Sequence, residues 1–264
     1  METFISRLDQ WISATAWKIP TPQAYGVFHI SFTLIGFLVC GLLAYRLRNI
    51  SAKSSRRLLI GVGVFLMVTE VYKQLLYCLT IHESGYPWWI FPFQLCSVPM
   101  YLCVITPLLK PGKVQNALYT FMMLYNLLGG GISFAKPSGL LSSYVTLTAH
   151  SMVWHMILVF VGLYLMFSGL GGRTAQDYRH ATYVFFLLCA VAFTINLVFR
   201  DVSGGSINMF FLGPTTTSIA VFKQIANKFG WYVSTALYIP SICLGAYLIL
   251  RVIRHVPAKK NTAK

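Results

Sequence analysis

Charge is scarce in this chain: Asp, Glu, Lys and Arg make up 10% of 264 residues, and only six of them are acidic. Soluble domains carry about a quarter charged residues, so there is too little polar surface here to cover a water-facing fold. Cysteine is present without a pattern. Cys40, Cys78, Cys96, Cys103, Cys189 and Cys243 are spread one or two to an apolar run, and no pair has the spacing of zinc ligands or of a disulfide framework. No Gly-rich phosphate loop, no His-x4-Asp acyltransferase signature and no basic nucleic-acid face is present. Neither a metal nor a cofactor is therefore expected. Residues 1–20 lack the basic start and apolar core of a cleavable signal. Internal repeats and low-complexity segments are also missing, which argues against a repeat-built transporter.

What the chain does contain is apolar sequence, 56% of the total. A helix needs about 20 apolar residues to cross a bilayer core, and seven stretches qualify: 26–45, 58–80, 90–109, 114–134, 144–169, 181–199 and 231–253. The third opens on Trp88-Trp89-Ile90-Phe91, an aromatic belt. The fourth carries Gly129-Gly130-Gly131, which permits close helix packing or a break. The net charge of +15 clusters between the runs. Arg46, Arg48, Lys53, Arg56, Arg57, Lys110, Lys113, Arg173, Arg179, Arg251, Arg254, Lys259, Lys260 and Lys264 fall on one side. Arg7, Lys18, Lys136, Arg200, Lys223 and Lys228 fall on the other. Retention of positive loops in the cytoplasm then predicts an all-α bundle of seven transmembrane helices, N-terminus outside and C-terminus inside. Residues 1–20, with Phe4, Ile5, Leu8, Trp11 and Ile12 at helical spacing, predict a short amphipathic helix in the outer interface. Residues 21–254 are expected to form the membrane domain and 255–264 a basic, disordered cytoplasmic tail.

Ionisable groups inside a bilayer are costly and mark candidate sites. In the second stretch Glu70, Lys73, Gln74 and Tyr77 share one helical face, and Glu70 and Lys73 are spaced to pair. In the third, Pro92 and Pro99 flank Gln94 and Cys96; proline frees backbone groups that must be satisfied by protein or water, so this segment is expected to line a cavity. The fifth carries His150 and His155 about 140° apart around the helix, either one a candidate general base. Tyr125 and Asn126 lie in the fourth, and Asn196, Arg200 and Asp201 at the end of the sixth. With the expected topology these groups share the outer half of the membrane, Cys96 at a depth of about 9 Å. The inner half of the same spans is almost wholly apolar. A cavity open to the outer leaflet follows, suited to a lipid headgroup or ester.

Several segments together resemble a known family. Phe91-Pro92-Phe93-Gln94-Leu95-Cys96 resembles the Pro-Leu-His-Leu-Cys signature of the YwaF-like, transmembrane protein 164-related integral membrane proteins. The stretch from His155 to Tyr164 resembles their His-containing span. Asn196 through Pro214, with Asn208-Met209-Phe210-Phe211 before Gly213-Pro214, resembles their Asn- and Gly-containing loop, and Gly230-Trp231-Tyr232 the opening of their last helix. The likeness runs in order from about residue 60 to 250. Gln94 stands where the signature has His, and Met209 where the loop has Tyr.

That family is similar to eukaryotic transmembrane protein 164, a lipid acyltransferase said to work through a cysteine. The resemblance implies Cys96 as acyl-accepting nucleophile and His155 as its base, with His150 an alternative. Lys73 or His155 would activate the thiol, and Gln94 or Asn126 would donate to the oxyanion. Glu70, Gln74, Asn196 and Asn208 complete the expected substrate-binding set. Membrane lipids are the expected partners, and the plasma membrane the expected location. The competing reading is a non-catalytic lipid-binding or transport protein using the same polar cavity. A seven-helix receptor is weaker, since the last span carries no mid-membrane lysine.

Overall fold

The structure, a computed structural model, describes residues 2–82, 85–215 and 217–256, with side chains from residue 6 onward. The expected basic tail past Val256, with Lys259, Lys260 and Lys264, lies outside the described residues. The fold is all-α, with nine α-helices and no strand among the described residues. They are α1 Glu2–Ser13, α2 Val27–Leu47, α3 Ala52–Leu76, α4 Val98–Ile105, α5 Lys113–Ala135, α6 Val145–Ser168, α7 Ala175–Val198, α8 Ala220–Phe229 and α9 Trp231–Ile253. Six are long and apolar enough to cross a membrane: α2, α3 with the π-helical turn Tyr77–Ile81 that continues it, α5, α6, α7 and α9.

Local chemistry sets the ends of these helices. Ser51 caps α3 by accepting the Ser54 N–H, satisfying one of the first-turn donors that a helix leaves open. Thr174 and Asp177 form a reciprocal capping box at the start of α7. Gly169 stops α6 in the left-handed region, φ 73°, where a side chain would be strained. Pro240 sits inside α9 without ending it.

The third apolar stretch departs from the expected continuous helix. Trp88–Ile90 form a single 3-10 turn, residues 91–97 are irregular, and regular helix begins only at Val98, running on as a 3-10 turn Thr106–Leu108. Proline is the reason. Pro92 restricts Phe91 to extended backbone, and Pro99 is tolerated only in the first turn of a helix, where its missing N–H has no partner to lose. The short helix nevertheless runs antiparallel to both neighbours. Leu66 of α3 packs beside Met100, whereas Gly63, nearer the start of α3, abuts Cys103 and Val104. Cys103 lies against Met122 of α5, and Gln115 at the start of α5 donates to the carbonyls of Thr106 and Leu109.

Helices α5 and α6 form the centre of the bundle. Their faces carry Phe121, Met122, Met123, Leu124, Tyr125, Val161, Tyr164 and Leu165, all fully buried. The outer helices expose apolar residues instead, among them Leu34, Ile35 and Leu38 of α2, Val64, Phe65 and Val68 of α3, Leu187 and Val198 of α7, and Leu244, Leu248 and Val252 of α9. Patches of this size are unfavourable in water and are what a lipid-facing surface requires. The Gly129–Gly131 run does not break α5. Gly130 alone is a packing position: a Cβ there would lie 3.1 Å from the His155 carbonyl of α6, while Gly129 and Gly131 face open space.

Two elements lie at the ends of the long helices. Helix α1 packs Leu8 and Ile12 against Leu76, Tyr72 and Leu147. Ile19 N–H donates to Ser143 and Val145 N–H to Trp17, 2.8 and 2.9 Å, so the N-terminal segment is stitched to the start of α6. Residues 200–230, to which the sequence assigned no element, contain a tightly folded loop and the amphipathic α8, which packs on α9.

Candidate active site

Three elements meet at one end of the bundle: the last turns of α3, the irregular segment leading into α4, and the first turns of α6. Between them lies a cavity of about 90 Å³ lined by Glu70, Lys73, Cys96, Ser97, His150, Ser151, Trp154 and His155. A water occupies about 30 Å³ of liquid, so the space admits a few waters or the reacting part of a larger molecule. Cys96, His155, His150, Glu70 and Lys73, read separately from three stretches of sequence, therefore share one wall. The 140° between the two histidines is no obstacle, because Ser151 and Trp154 fill the arc between them and the cavity wraps around that face of α6.

Polar contacts hold the wall. Lys73 Nζ is 2.8 Å from Glu70 Oε1, and Gln74 Nε2 donates to the same oxygen at 2.6 Å. Gln74 is itself anchored, donating to the Ile90 carbonyl at 2.9 Å and accepting from the Tyr86 hydroxyl at 2.8 Å. Tyr86 lies in the loop outside the spans, and burial pushes its phenol up to about 12, so it remains a donor throughout the physiological range. The indole Nε1 of Trp154 donates to the Cys96 carbonyl, 2.9 Å, tying the cysteine-bearing segment to α6. His155 is 2.8 Å from the Ser151 carbonyl through Nδ1. A carbonyl only accepts, so Nδ1 carries the proton and Nε2 of the neutral ring is left with a free lone pair. His150 stacks on Trp154 with centroids 5.2 Å apart, and its buried Nε2 has no hydrogen-bond partner.

The remaining expected site residues do something different. Gln94 uses both ends of its amide on the 207–215 loop: Nε2 donates to the Asn208 carbonyl at 3.1 Å and Oε1 accepts the Phe210 N–H at 2.9 Å. Asn196, fully buried, donates to the carbonyls of Met209 and Gly213 and accepts the Met209 N–H, 3.1, 2.8 and 2.6 Å. Asn208 accepts the Gly213 N–H and donates to the Thr215 carbonyl. These three amides clamp a loop whose Phe210 and Phe211 have positive φ, 55° and 57°, a conformation that non-glycine residues adopt only under outside constraint. Phe210 in turn stacks on Phe93. Gln94 is two residues from Cys96, so the clamp fixes the segment that carries the cysteine and does not itself line the cavity. Asn126 is buried with its Nδ2 unpartnered, but it too is absent from the cavity wall.

Trp154 and Tyr86 escaped the reading of the sequence. Trp154 had a signal, being four residues from His150 and one from His155, on the face between them. Tyr86 had none, since its contact with Gln74 depends on how residues 85–97 pack against α3.

Six apolar spanning helices, outward-facing apolar surfaces and costly polar groups turned inward define a multi-pass membrane protein. The sequence matches the TMEM164 family over residues 24–250, and the chain belongs to that family. No significant match was found among curated proteins or among solved structures.

Proposed function

We propose that the cavity is the active site of a membrane acyltransferase that moves an acyl chain between phospholipid and lysophospholipid through a thioester on Cys96. The observation that carries this reading is the convergence of Cys96 and His155 on one cavity, with the His155 ring oriented through Nδ1. In the first half-reaction Nε2 of His155 takes the thiol proton and Cys96 Sγ attacks the ester carbonyl carbon. The C–S bond forms, the ester C–O bond breaks, and the departing lysophospholipid alkoxide receives the proton from His155. In the second half-reaction His155 takes the proton of an acceptor hydroxyl, whose oxygen attacks the thioester and returns Cys96 to the thiol. Lys73, with two ammonium protons beyond its bond to Glu70, is the available donor to the oxyanion. Gln94 bonds the 207–215 loop through both ends of its amide and does not line the cavity, so the oxyanion role goes to Lys73.

The finer membrane arrangement belongs to the same proposal. Residues 91–108 make a seventh crossing: the short helix runs antiparallel to both α3 and α5, its helical part Val98–Leu108 rises about 16 Å, and the irregular residues before it carry the chain on to the Trp88-Trp89 belt. An odd number of crossings puts the termini on opposite sides, and the basic loops put the N-terminus outside. Helix α1 then rests in the outer interface, the cavity lies in the outer half, and the plasma membrane is the location.

The test is acyl transfer in liposomes from a labelled phospholipid to a lysophospholipid. Cys96→Ser should lower transfer by at least about a thousandfold, and wild type should show a trapped thioester that hydroxylamine releases. Full transfer by Cys96→Ser removes the mechanism. Lipid capture by the wild type without transfer favours the non-catalytic reading.

A further inference from the structure

Ser97, the residue after the cysteine, is a buried hydroxyl without its usual partner. It lines the cavity with Cys96, is 5% exposed and directly precedes α4. A serine in that place ordinarily caps its helix, the side-chain oxygen accepting the N–H of the second or third helical residue. Neither N–H is open to Ser97. The second residue is Pro99, which has none. The third is Met100, whose N–H goes to the backbone carbonyl of Ser97 at 3.1 Å. The backbone at Ser97 is itself helical, φ −87° and ψ −27°, where a capping residue is extended, and its side chain makes no cap bond.

The hydroxyl lies within hydrogen-bonding reach of the Cys96 sulfur instead. The Cys96 N–H, which meets no carbonyl of another described residue, reaches the same sulfur. A serine hydroxyl rotates to donate or accept as its surroundings require. A thiol is a weak partner in either role, whereas a sulfur that has lost its proton only accepts, and a bond to an ionised group is about twice as strong as a neutral one. The pairing of Ser97 with Cys96 therefore gains most when the sulfur is charged. Lys73, bound to Glu70 at 2.8 Å, answers a different charge, the one that develops on the carbonyl oxygen.

We infer that Ser97 is a further catalytic residue, its hydroxyl donating to the Cys96 sulfur and holding it as the thiolate both before attack on the ester and when the thioester is cleaved. The inference rests on the acyl-transfer reading of the cavity. No proton passes through Ser97. In the first half-reaction His155 takes the thiol proton, the Ser97 O–H meets the charge left on sulfur, and that bond is given up as the C–S bond forms. In the second the C–S bond breaks, the sulfur leaves with the electron pair, and the Ser97 O–H meets the charge again until His155 returns the proton.

The experiment uses the full chain in phosphatidylcholine liposomes and makes two measurements. One is the rate at which iodoacetamide alkylates Cys96 between pH 6 and 10, read by mass spectrometry on the peptide that carries it. The other is acyl transfer from labelled phosphatidylcholine to a lysophospholipid at pH 7. Removing a donor leaves less thiolate at neutral pH, but the thiolate that remains is the stronger nucleophile. Ser97→Ala should therefore be alkylated about threefold to tenfold more slowly than wild type at pH 7 and at least as fast at pH 10. Its acyl transfer at pH 7 should fall by about tenfold or more. Ser97→Thr, which keeps the hydroxyl, should stay within about threefold of wild type in both measurements. Melting temperatures verify that both variants are folded. Wild-type alkylation and transfer at pH 7 by folded Ser97→Ala overturn the inference. Slowing by one factor across the whole pH range also overturns it, because the hydroxyl then only shapes the cavity. Absence of transfer by the wild type removes the acyl-transfer reading and the catalytic role with it, while a retained crossover in alkylation keeps the bond between Ser97 and Cys96.

Discussion

At the residue scale, the wall of the cavity is a set of charges and lone pairs that cannot be changed singly without leaving one unanswered. Glu70 Oε1 receives both Lys73 and Gln74. Removing one partner of a buried pair leaves an uncompensated charge and costs about 3–5 kcal/mol, whereas replacing both by apolar groups is often neutral. Glu70→Gln is therefore expected to lower stability by that amount in a denaturant or thermal melt. Glu70→Gln with Lys73→Met should recover most of the lost stability without recovering acyl transfer. Recovery of both would show that the pair serves packing alone. His155 and His150 differ in the same terms: one ring is oriented by Ser151, the other has a buried nitrogen with no partner. His155→Gln should accordingly cost more turnover than His150→Gln in the liposome assay, and the reverse order would exchange their roles.

At the scale of elements, the site depends on two supports outside it. One is the contact of α5 with α6 at Gly130, where an added Cβ would come 3.1 Å from the His155 carbonyl. Gly130→Ala should lower turnover by about tenfold or more, since small displacements of a catalytic group are expensive, with a smaller change in melting temperature. Equal losses in both would make the contact structural only. The other support is the amide clamp on the 207–215 loop. Asn196 makes three buried hydrogen bonds, each worth roughly 1 kcal/mol, with a further penalty for the backbone groups left unpaired. Asn196→Ala is expected to destabilise by about 3 kcal/mol or more and to raise the accessibility of Cys96 to thiol reagents. Unchanged labelling of a folded variant would mean that the loop and the cysteine segment are not coupled.

At the scale of the whole molecule, the proposed topology combines six full-length helices with one short helix antiparallel to its neighbours. Tags at the two termini should report opposite sides in intact cells, the N-terminal tag reachable from outside and the C-terminal tag only after permeabilisation. Tags on one side would mean that residues 91–108 re-enter without crossing. This outcome also bears on the cavity, because the side on which α3 ends decides the leaflet from which lipid reaches Cys96.

Apolar run length and the positions of charge are enough, from sequence alone, to establish an all-α multi-pass membrane protein, because a bilayer permits few other ways to satisfy a backbone. Glu70, Lys73, His150, His155 and Cys96 were also legible, since ionisable or reactive groups within apolar runs stand out against their surroundings. Which of the polar residues share a cavity was decided only by tertiary structure. Gln94, Asn196 and Asn208 carry the same kind of sequence signal as the cavity residues, yet they clamp a loop more than a hundred residues from Gln94 along the chain. Amide side chains satisfy backbone groups as readily as they bind ligands, and only the folded chain determines which groups lie within reach. The same holds for residues 90–109: composition marks them as apolar, but Pro92, Pro99 and the packing of α3 and α5 decide where helix begins and where Cys96 is left facing the cavity.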